Sequence, residues 1–261
     1  MIEKAIAAKK PISIEKPISS NVADAREIVK LANSTDIPVF ILENFVYHNS
    51  VAKLKQLLPK IGEVVTFTYQ STGPFTPSKY HSTSWRQKPE HVGGYISDGG
   101  VHQLAVLTEV LGEVESVSGR TTQLREVSGD VDTLNSLFNL KSGKFGTFIY
   151  GSYFGATEKL TRFTIFGTDG SLIFETRPGQ TATVLLREGQ GGDVEPALFK
   201  LEADDINGVH SEFENFAEAV KAKDKSLLKV TPAKAFHHFA IIAAAVESAQ
   251  KGGALTPVAT V

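Results

Sequence analysis

The chain has 261 residues, of which 41% are hydrophobic and 21% charged, with a formal net charge of −2. This composition is typical of a globular protein with a core, and the mixed charges argue against nucleic acid or an anionic membrane as the main partner. The absence of cysteine excludes disulfides, thiolate metal sites and a cysteine nucleophile. No apolar run reaches the length of a membrane span, and the N-terminal MIEKAIAAKK lacks the apolar core of a signal peptide. We therefore expect a soluble, cytoplasmic protein.

The first 45 residues predict helix, strand, helix, strand. Apolar spacing favours a helix over residues 2–9, and Ile12 and Ile14 alternate with polar residues as in a short strand. An apolar stripe from Val22 to Ala32 indicates the second helix. The nearly continuous apolar run Ile37–Phe45 is typical of a parallel strand that is covered on both faces.

Polar residues stand where these two predicted strands end. Lys16 precedes a proline, which favours extended backbone, and Glu43-Asn44 comes near the end of the second strand. Open α/β sheets bind ligands at the carboxyl ends of their strands, so Lys16 is a candidate ligand-binding residue. The alternative is a surface lysine beside a turn.

The segment WRQKPEHVGGYISDGGVH, residues 85–102, contains the strongest candidate for chemistry. Asp98 and His102 are four residues apart in an apolar-periodic segment, so on a helix they share one face. A neighbouring carboxylate and imidazole can orient a hydroxyl group and move its proton. The alternative is that Asp98 caps the helix and that His102 is an ordinary half-buried histidine.

Further helices and strands are predicted along the rest of the chain. Helices are predicted around Val51–Leu58 and for the segment that carries Asp98 and His102 and closes at Gly112, a strand over Glu63–Ser71, and a loop over Phe75–Trp85. From about residue 114 β-structure dominates, with strands predicted at Val114–Gln123, Asp132–Leu140, Phe145–Tyr153, Arg162–Phe166, Ser171–Glu175, Ala182–Arg187 and Ala197–Leu201. Ser142-Gly143 and Asp169-Gly170 indicate hairpin turns. Two amphipathic helices, around Phe213–Val220 and Phe236–Val246, close the chain.

Three motifs in this order give the chain a resemblance to a known family. They are Glu15-Lys16-Pro17, Trp85-Arg86, and Gly93-Gly94 followed by Asp98-Gly99-Gly100-Val101-His102. The chain resembles the Gfo/Idh/MocA oxidoreductases over nearly its whole length, and the fungal NADP-linked members most closely. The resemblance implies an α/β fold: residues 1–45 as a remnant of a doubly wound Rossmann domain, and residues 46–261 as an α+β substrate and dimerisation domain with a large, mainly antiparallel open sheet. It also implies a homo-oligomer formed through that sheet.

The resemblance further implies hydride transfer between a nicotinamide cofactor, NADP or NAD with NADP favoured, and a sugar, polyol or related carbonyl compound, without a metal. It assigns catalytic roles to three residues: His102 as general acid/base, Lys16 to polarise the substrate oxygen, and Asp98 to orient the substrate. The cofactor-binding residues that it implies are Glu15, Lys16, Pro17, Asn44 and Arg86, and the substrate-binding residues are Tyr47, Trp85 and Asp98.

One feature of the family is missing. A Gly-rich turn between a strand and a helix normally holds the cofactor pyrophosphate, but here the Gly-dense stretch Gly189–Gly192 lies among predicted strands and is interpreted as a surface loop. The resemblance implies that the chain starts where a full-length member finishes its nucleotide-binding domain, which would leave Ile37–Phe45 with unpaired edges and uncovered apolar faces. A truncated gene product, a deliberately shortened protein and a non-enzymatic descendant are all open. The alternative function is therefore a non-catalytic ligand-binding or regulatory protein of the same fold.

A metal-dependent hydrolase is also disfavoured by the sequence. The adjacent His237 and His238 point in different directions on a helix and cannot easily bind one metal ion. We expect them to be a partly exposed pair.

Overall fold

Helices and strands alternate in the first third of the chain, whereas strands dominate its middle. A computed structural model describes residues 1–77, 83–191, 194–202 and 208–261. The α-helices are α1 (Ile2–Ala7), α2 (Val22–Asn33), α3 (Asn49–Leu57), α4 (Ser84–Gln87), α5 (Gly94–Leu111), α6 (Val209–Ala222) and α7 (Pro232–Gln250). The strands are β1 (Ile12–Glu15), β2 (Val39–Leu42), β3 (Val64–Pro74), β4 (Val114–Thr122), β5 (Thr133–Leu140), β6 (Phe145–Phe154), β7 (Leu160–Gly167), β8 (Gly170–Thr176), β9 (Thr183–Glu188), β10 (Ala197–Lys200) and β11 (Thr256–Pro257). Short 3-10 helices follow β2, α3, β4 and α6, at Asn44–Tyr47, Leu58–Ile61, Glu126–Ser128 and Lys225–Leu227.

The strands β1 and β2 form a two-stranded parallel sheet, in register from Ile12 opposite Val39 to Glu15 opposite Leu42. The second strand is shorter than predicted, because it ends at Leu42 and the backbone turns into the 3-10 helix Asn44–Tyr47. The side chain of Glu43 stabilises that turn by accepting a hydrogen bond from the backbone N–H of Phe45.

The expectation that this strand has uncovered apolar faces is wrong. Val39, Phe40 and Ile41 are at most 2% exposed. The ring of Phe40 stacks on Phe216 of α6, with 5.4 Å between ring centroids, and α7 also packs against β2. Helices from the far end of the chain therefore cover the sheet, which a reading of the first 45 residues alone misses.

Nine strands form the second sheet, in the order β10-β9-β8-β7-β3-β6-β5-β4-β11. All neighbours are antiparallel except β3 and β6, so the expected large, mainly antiparallel sheet is confirmed. The predicted turn pairs, Ser142-Gly143 and Asp169-Gly170, lie at the β5–β6 and β7–β8 hairpins. Gly143 adopts a φ of 80°, a left-handed conformation that a side chain would strain.

One face of the large sheet and the helices α5 and α7 enclose the core. Tyr69 of β3 stacks on Phe148 of β6 and packs against Phe163 of β7, and all three rings are almost completely buried. The helix α5 contacts α7, which lies along β4. The opposite face of the sheet carries exposed side chains, among them Leu137 and Phe145.

Several short segments differ from the sequence predictions. The first helix ends at Ala7 rather than at residue 9, and Lys9 adopts a φ of 53°. Trp85 and Arg86 lie on the four-residue helix α4 rather than in a loop. Gly189 is exposed, as predicted for a surface loop, whereas Gly192 and residues 78–82 of the predicted loop lie outside the described residues. Across the described ranges, no helix combines the length and hydropathy needed to cross a membrane.

Candidate active site

The carboxyl ends of β1 and β2 position the candidate site. Lys16 directly follows β1, and Glu43 directly follows β2. Because the two strands are parallel, their ends lie at the same edge of the small sheet. Contacts from Lys16 and Glu43 to residues of α5 bring the two strand ends together with Asp98 and His102.

Lys16 and Arg86 both form ion pairs with Asp98. The ammonium Nζ of Lys16 lies 2.8 Å from Asp98 Oδ1 and donates to the backbone carbonyl of Asp98 at 2.6 Å. Arg86 Nε donates to the second carboxylate oxygen, Oδ2, at 3.0 Å. Asp98 is 2% exposed, and such a carboxylate is stable in the interior when it is paired and hydrogen-bonded. The carboxylate therefore holds two cations, from two separate segments, at fixed positions.

The helix-cap interpretation of Asp98 is wrong. The helix α5 begins at Gly94 after Gly93, which adopts a left-handed φ of 80°, so Asp98 lies inside the helix. A side chain at Gly93 would also collide with Ile242 of α7. Gly93 therefore allows the start of α5 to approach α7 closely.

His102 forms a hydrogen-bonded pair with Glu43. Its Nδ1 lies 2.7 Å from Glu43 Oε1, and its ring stacks on Phe45 with 4.6 Å between centroids. Burial opposes ionisation of Glu43, but His102, His238 and the backbone N–H of Phe45 together outweigh it, so the pKa of Glu43 lies below its usual range. An ionised carboxylate can only accept a hydrogen bond, so in the neutral imidazole the proton is on Nδ1 and the lone pair is on Nε2. This arrangement suits a general base.

Sequence reasoning did not assign a site role to Glu43. The signal for it is its position, because Glu43 follows an apolar strand at the edge where α/β sheets bind ligands, whereas the family resemblance indicates the neighbouring Asn44. Asn44 is half-buried and is the first residue of the 3-10 helix.

The other predicted site residues differ in their solvent exposure. Glu15 is exposed at the end of β1, and Pro17 is half-buried after a cis Lys16–Pro17 bond. Tyr47 is buried, and its hydroxyl donates to Asn215 Oδ1 of α6 at 2.8 Å. Burial is the main cause that raises the pKa of Tyr47.

A surface cleft of about 640 Å³ adjoins the ion-paired cluster. Its lining residues are Pro17, Ser19, Ser20, Ser84, Trp85, Lys88, Glu90 and His91. Trp85 is 46% exposed, and the guanidinium of Arg86 lies 3.8 Å from its ring centroid. Trp85 and His91 also line a small recess that reaches Asp98. The cleft is therefore open to solvent on one side and borders the buried carboxylate on the other.

His91 gives this cleft an unsatisfied polar atom. Its Nδ1 lies 2.7 Å from Ser97 Oγ, whereas its buried Nε2 has no hydrogen-bond partner among the described residues. Burial lowers the pKa of His91, which favours the neutral ring. A polar ligand in the cleft could satisfy this nitrogen.

The adjacent histidines of α7 do not form a partly exposed pair. His238 is 2% exposed, with Nε2 2.9 Å from Thr108 Oγ1, and burial lowers its pKa to about 4. The half-buried His237 instead accepts a hydrogen bond from the backbone N–H of Val114 at 3.1 Å. The two rings therefore have different partners, as their adjacency predicts. In the described parts of the chain, no three His, Asp or Glu side chains are grouped to hold a metal ion.

The fold is an α/β domain with a large open sheet, and paired charges lie at the ends of the two parallel strands. The profile of the oxidoreductase family's C-terminal alpha/beta domain matches residues 55–260. The chain belongs to the Gfo/Idh/MocA oxidoreductase family.

Curated relatives support this membership along most of the chain. The chain is 46% identical over 259 residues to the uncharacterized protein YMR315W of Saccharomyces cerevisiae, covering 97% of this chain and 74% of the relative. It is 30% identical over 193 residues to myo-inositol 2-dehydrogenase of Thermotoga maritima, covering 70% of this chain and 54% of that enzyme.

Solved structures show the same fold. An oxidoreductase from Thermotoga maritima superposes with a TM-score of 0.83 at 31% identity, covering 98% of this chain and 74% of that one. Levoglucosan dehydrogenase in complex with NADH superposes with a TM-score of 0.86 at 18% identity, covering all of this chain and 76% of that one, and this likeness concerns the fold alone.

Proposed function

We propose that the chain is an NAD(P)-dependent oxidoreductase that acts on the carbinol carbon of a sugar or polyol, or on the corresponding carbonyl compound. The observation that carries this proposal is the placement of the Lys16–Asp98 ion pair and the Glu43–His102 pair at the ends of two neighbouring parallel strands. The first pair presents the Lys16 ammonium to a substrate oxygen, and the second presents the His102 imidazole as a base. When an alcohol is oxidised, a base accepts the hydroxyl proton and a cation stabilises the negative charge that develops on the oxygen.

Each of these residues has a defined task in the proposed reaction. In the oxidation direction, His102 Nε2 accepts the hydroxyl proton, while the C–H bond of the same carbon breaks and the C=O bond forms. Lys16 donates a hydrogen bond to the substrate oxygen, and Asp98 holds the Lys16 ammonium in place. Glu43 stabilises the imidazolium of His102 and fixes its orientation. In the reduction direction His102 returns the proton.

The described residues fit a nicotinamide cofactor next to this site. Bound NAD(P) supplies the hydride acceptor for oxidation and the hydride donor for reduction. We propose that Glu15, Lys16, Pro17, Asn44 and Arg86 hold this cofactor, which is NADP or NAD, with NADP favoured by the resemblance to the fungal members of the family. The unsatisfied Nε2 of His91 in the cleft wall supports a polar ligand there.

We further propose that residues 1–45 belong to the nucleotide-binding part and that residues 46–261 form the substrate domain, with the cytoplasm as the location. The match of the family profile to residues 55–260 supports this division. The non-catalytic alternative is not favoured, since curated relatives that are named for an activity are enzymes, among them myo-inositol 2-dehydrogenase of Thermotoga maritima.

The proposal is tested by cofactor binding followed by turnover. Binding of NADH and of NADPH would be measured by cofactor fluorescence for the unmodified chain and for Lys16→Met. The control is Lys30→Met, which changes an exposed lysine on α2. We expect micromolar binding by the unmodified chain and the control, weaker binding by Lys16→Met, and cofactor-dependent turnover of a member of a sugar and polyol panel. Absence of binding at millimolar cofactor together with absence of turnover would refute the proposal for this chain.

We also propose that the chain self-associates through the outer face of the nine-stranded sheet. Phe145 of β6 and Phe166 of β7 flank Thr66 of β3 in register across three strands, and these two rings are 51% and 42% exposed. A row of exposed aromatic residues on a sheet face is typical of an interaction surface. A second copy of the chain would cover it.

A further inference from the structure

A second buried carboxyl group lies behind the Glu43–His102 pair. Glu212, in the first turn of α6, is 3% exposed, and its carboxyl group is hydrogen-bonded to the backbone of Glu43. Its Oε1 is buried and has no hydrogen-bond partner within the described ranges. Burial of a charged oxygen without a partner is costly, so the protonated form is favoured. The proposed reaction above assigns no task to this group.

The start of α6 holds Glu212 in this position. Gly208 precedes the helix with a left-handed φ of 65°, and it lies so close to the carbonyl oxygen of Asn44 that a side chain would collide with it. One turn after Glu212, Asn215 accepts the hydroxyl of Tyr47. The helix is therefore fixed to both ends of the 3-10 segment Asn44–Tyr47, and Glu212 lies between the two attachment points.

The charged groups around Glu212 are mostly negative. Glu43 after β2 and Glu15 of β1 face it, and together with burial, which is the largest cause, they raise the pKa of Glu212 to about 7. Tyr47 of the 3-10 segment also lies nearby. No ion pair in the described part of the chain includes Glu212. Protonation therefore removes the negative charge of the Glu212 carboxyl group, which no cation neutralises in the described part of the chain.

Two histidines interact electrostatically with the carboxylate of Glu43. They are His102 of α5, which is bonded to Glu43, and His238 of α7, whose pKa of about 4 keeps it neutral near pH 7. Lys229 lies over the ring of Tyr47, with Nζ 5.3 Å from the ring centroid. Among these groups, only His102 makes a direct hydrogen bond to the Glu43 side chain.

We propose that Glu212 is a positioning residue for proton transfer: its protonated form leaves the charge of Glu43, the carboxylate that pairs with His102, unopposed, and its ionisation raises the proton affinity of His102. The inference rests on the proposed function, in which His102 moves the substrate proton. Two carboxylates that share a buried site repel each other, and an added negative charge favours the imidazolium. Glu43 and Glu212 are therefore electrostatically coupled, and a change of charge at Glu212 acts on His102 through Glu43.

The test is an NMR titration of the His102 imidazole in the unmodified chain, in Glu212→Gln and in Glu218→Gln. Glutamine keeps the size and a hydrogen-bond acceptor but cannot ionise, and Glu218 is an exposed residue of the same helix. We expect the midpoint of the His102 titration to fall by about one pH unit in Glu212→Gln, which is a tenfold change in proton affinity. In Glu218→Gln the midpoint should be unchanged. Superimposable curves for all three proteins would overturn the proposal.

This titration needs no cofactor and no substrate, so its failure is distinguishable from a failure of the proposed function. If Glu212→Gln does not fold, infrared spectra of the unmodified chain replace it. A buried protonated carboxyl band that disappears near pH 7 would support the proposal, and the absence of such a band at pH 6 would overturn it. In the active enzyme, a merely structural residue would lower kcat at every pH, whereas the proposed role shifts the pH profile of kcat.

Discussion

His102 Nδ1 lies 2.7 Å from Glu43 Oε1, although the two residues are 59 positions apart in the chain. Glu43 ends the small parallel sheet, and His102 lies within α5, so the contact joins two elements that the fold brings together. An ionised carboxylate at Nδ1 fixes both the orientation and the tautomer of the ring. The Nε2 atom is then the one available to a substrate hydroxyl.

We expect His102→Ala to remove most of the turnover and to leave cofactor binding nearly intact. The imidazole transfers a proton in the proposed mechanism, and general acid–base catalysis contributes about 100- to 10,000-fold to a rate. The measurements are steady-state kcat and a fluorescence titration with the cofactor. His210→Ala, which changes an exposed histidine of α6, is the control. A kcat for His102→Ala within a few-fold of the unmodified enzyme would contradict the assignment.

We expect Glu43→Gln to reduce kcat by about 100-fold, because a neutral amide no longer stabilises the imidazolium and permits the wrong tautomer. Since Glu43 is ionised at neutral pH, this variant should also lower the pH midpoint of the His102 ring. NMR of the ring and steady-state kinetics measure the two effects. Glu27→Gln, on the exposed face of α2, should change neither. An unchanged His102 midpoint would rule out the proposed role of Glu43.

Local sequence patterns predict most of the fold. Alternation along β5 and β6 and the turn pair Ser142-Gly143 are short-range signals, and the structure confirms that hairpin. Long-range packing is not available from such patterns. The ring of Phe216, far along the chain, covers Phe40 of β2, and this contact makes a two-stranded sheet compatible with a buried strand.

In the candidate site, too, the short-range patterns are predicted from the sequence and the long-range contacts are not. The spacing of Asp98 and His102 correctly predicts that both lie on one helix, and the structure adds the partner of each. Arg86 approaches Asp98 from a separate short helix, and Glu43 approaches His102 from a strand end. Glu212 has no signal in the sequence, because it is one of several glutamates in an amphipathic helix and only burial distinguishes it.

We expect Asp98→Asn to lower the free energy of unfolding by about 3–5 kcal/mol, because it leaves the ammonium of Lys16 and the guanidinium of Arg86 without their shared buried carboxylate. Urea unfolding followed by circular dichroism measures the loss. Glu158→Gln, at a surface ion pair with Arg177, should cost less than about 1 kcal/mol. Equal losses in the two variants would show that Asp98 does not hold the cations as described.

We expect Phe166→Glu to convert an oligomer into a monomer. The outer face of the sheet exposes this ring beside Thr66 and Phe145, and a buried negative charge without a partner is unfavourable in an apolar interface. Light scattering at micromolar concentration distinguishes the two states. Val194→Glu, at an exposed residue outside the sheet, is the control. A monomeric unmodified chain would contradict the proposed self-association.

We expect acid to destabilise the protein partly through His238. Burial lowers its pKa from 6.5 to about 4, so the unfolded chain binds the proton more tightly than the folded one. Its contribution to stability is therefore complete above pH 6.5 and is lost as the pH falls toward 4, by about 2–3 kcal/mol. Urea unfolding at pH 6.5 and 4.5 should show this loss in the unmodified chain and in His210→Gln, but not in His238→Gln. Parallel pH dependence in all three proteins would show that His238 is not held neutral by burial.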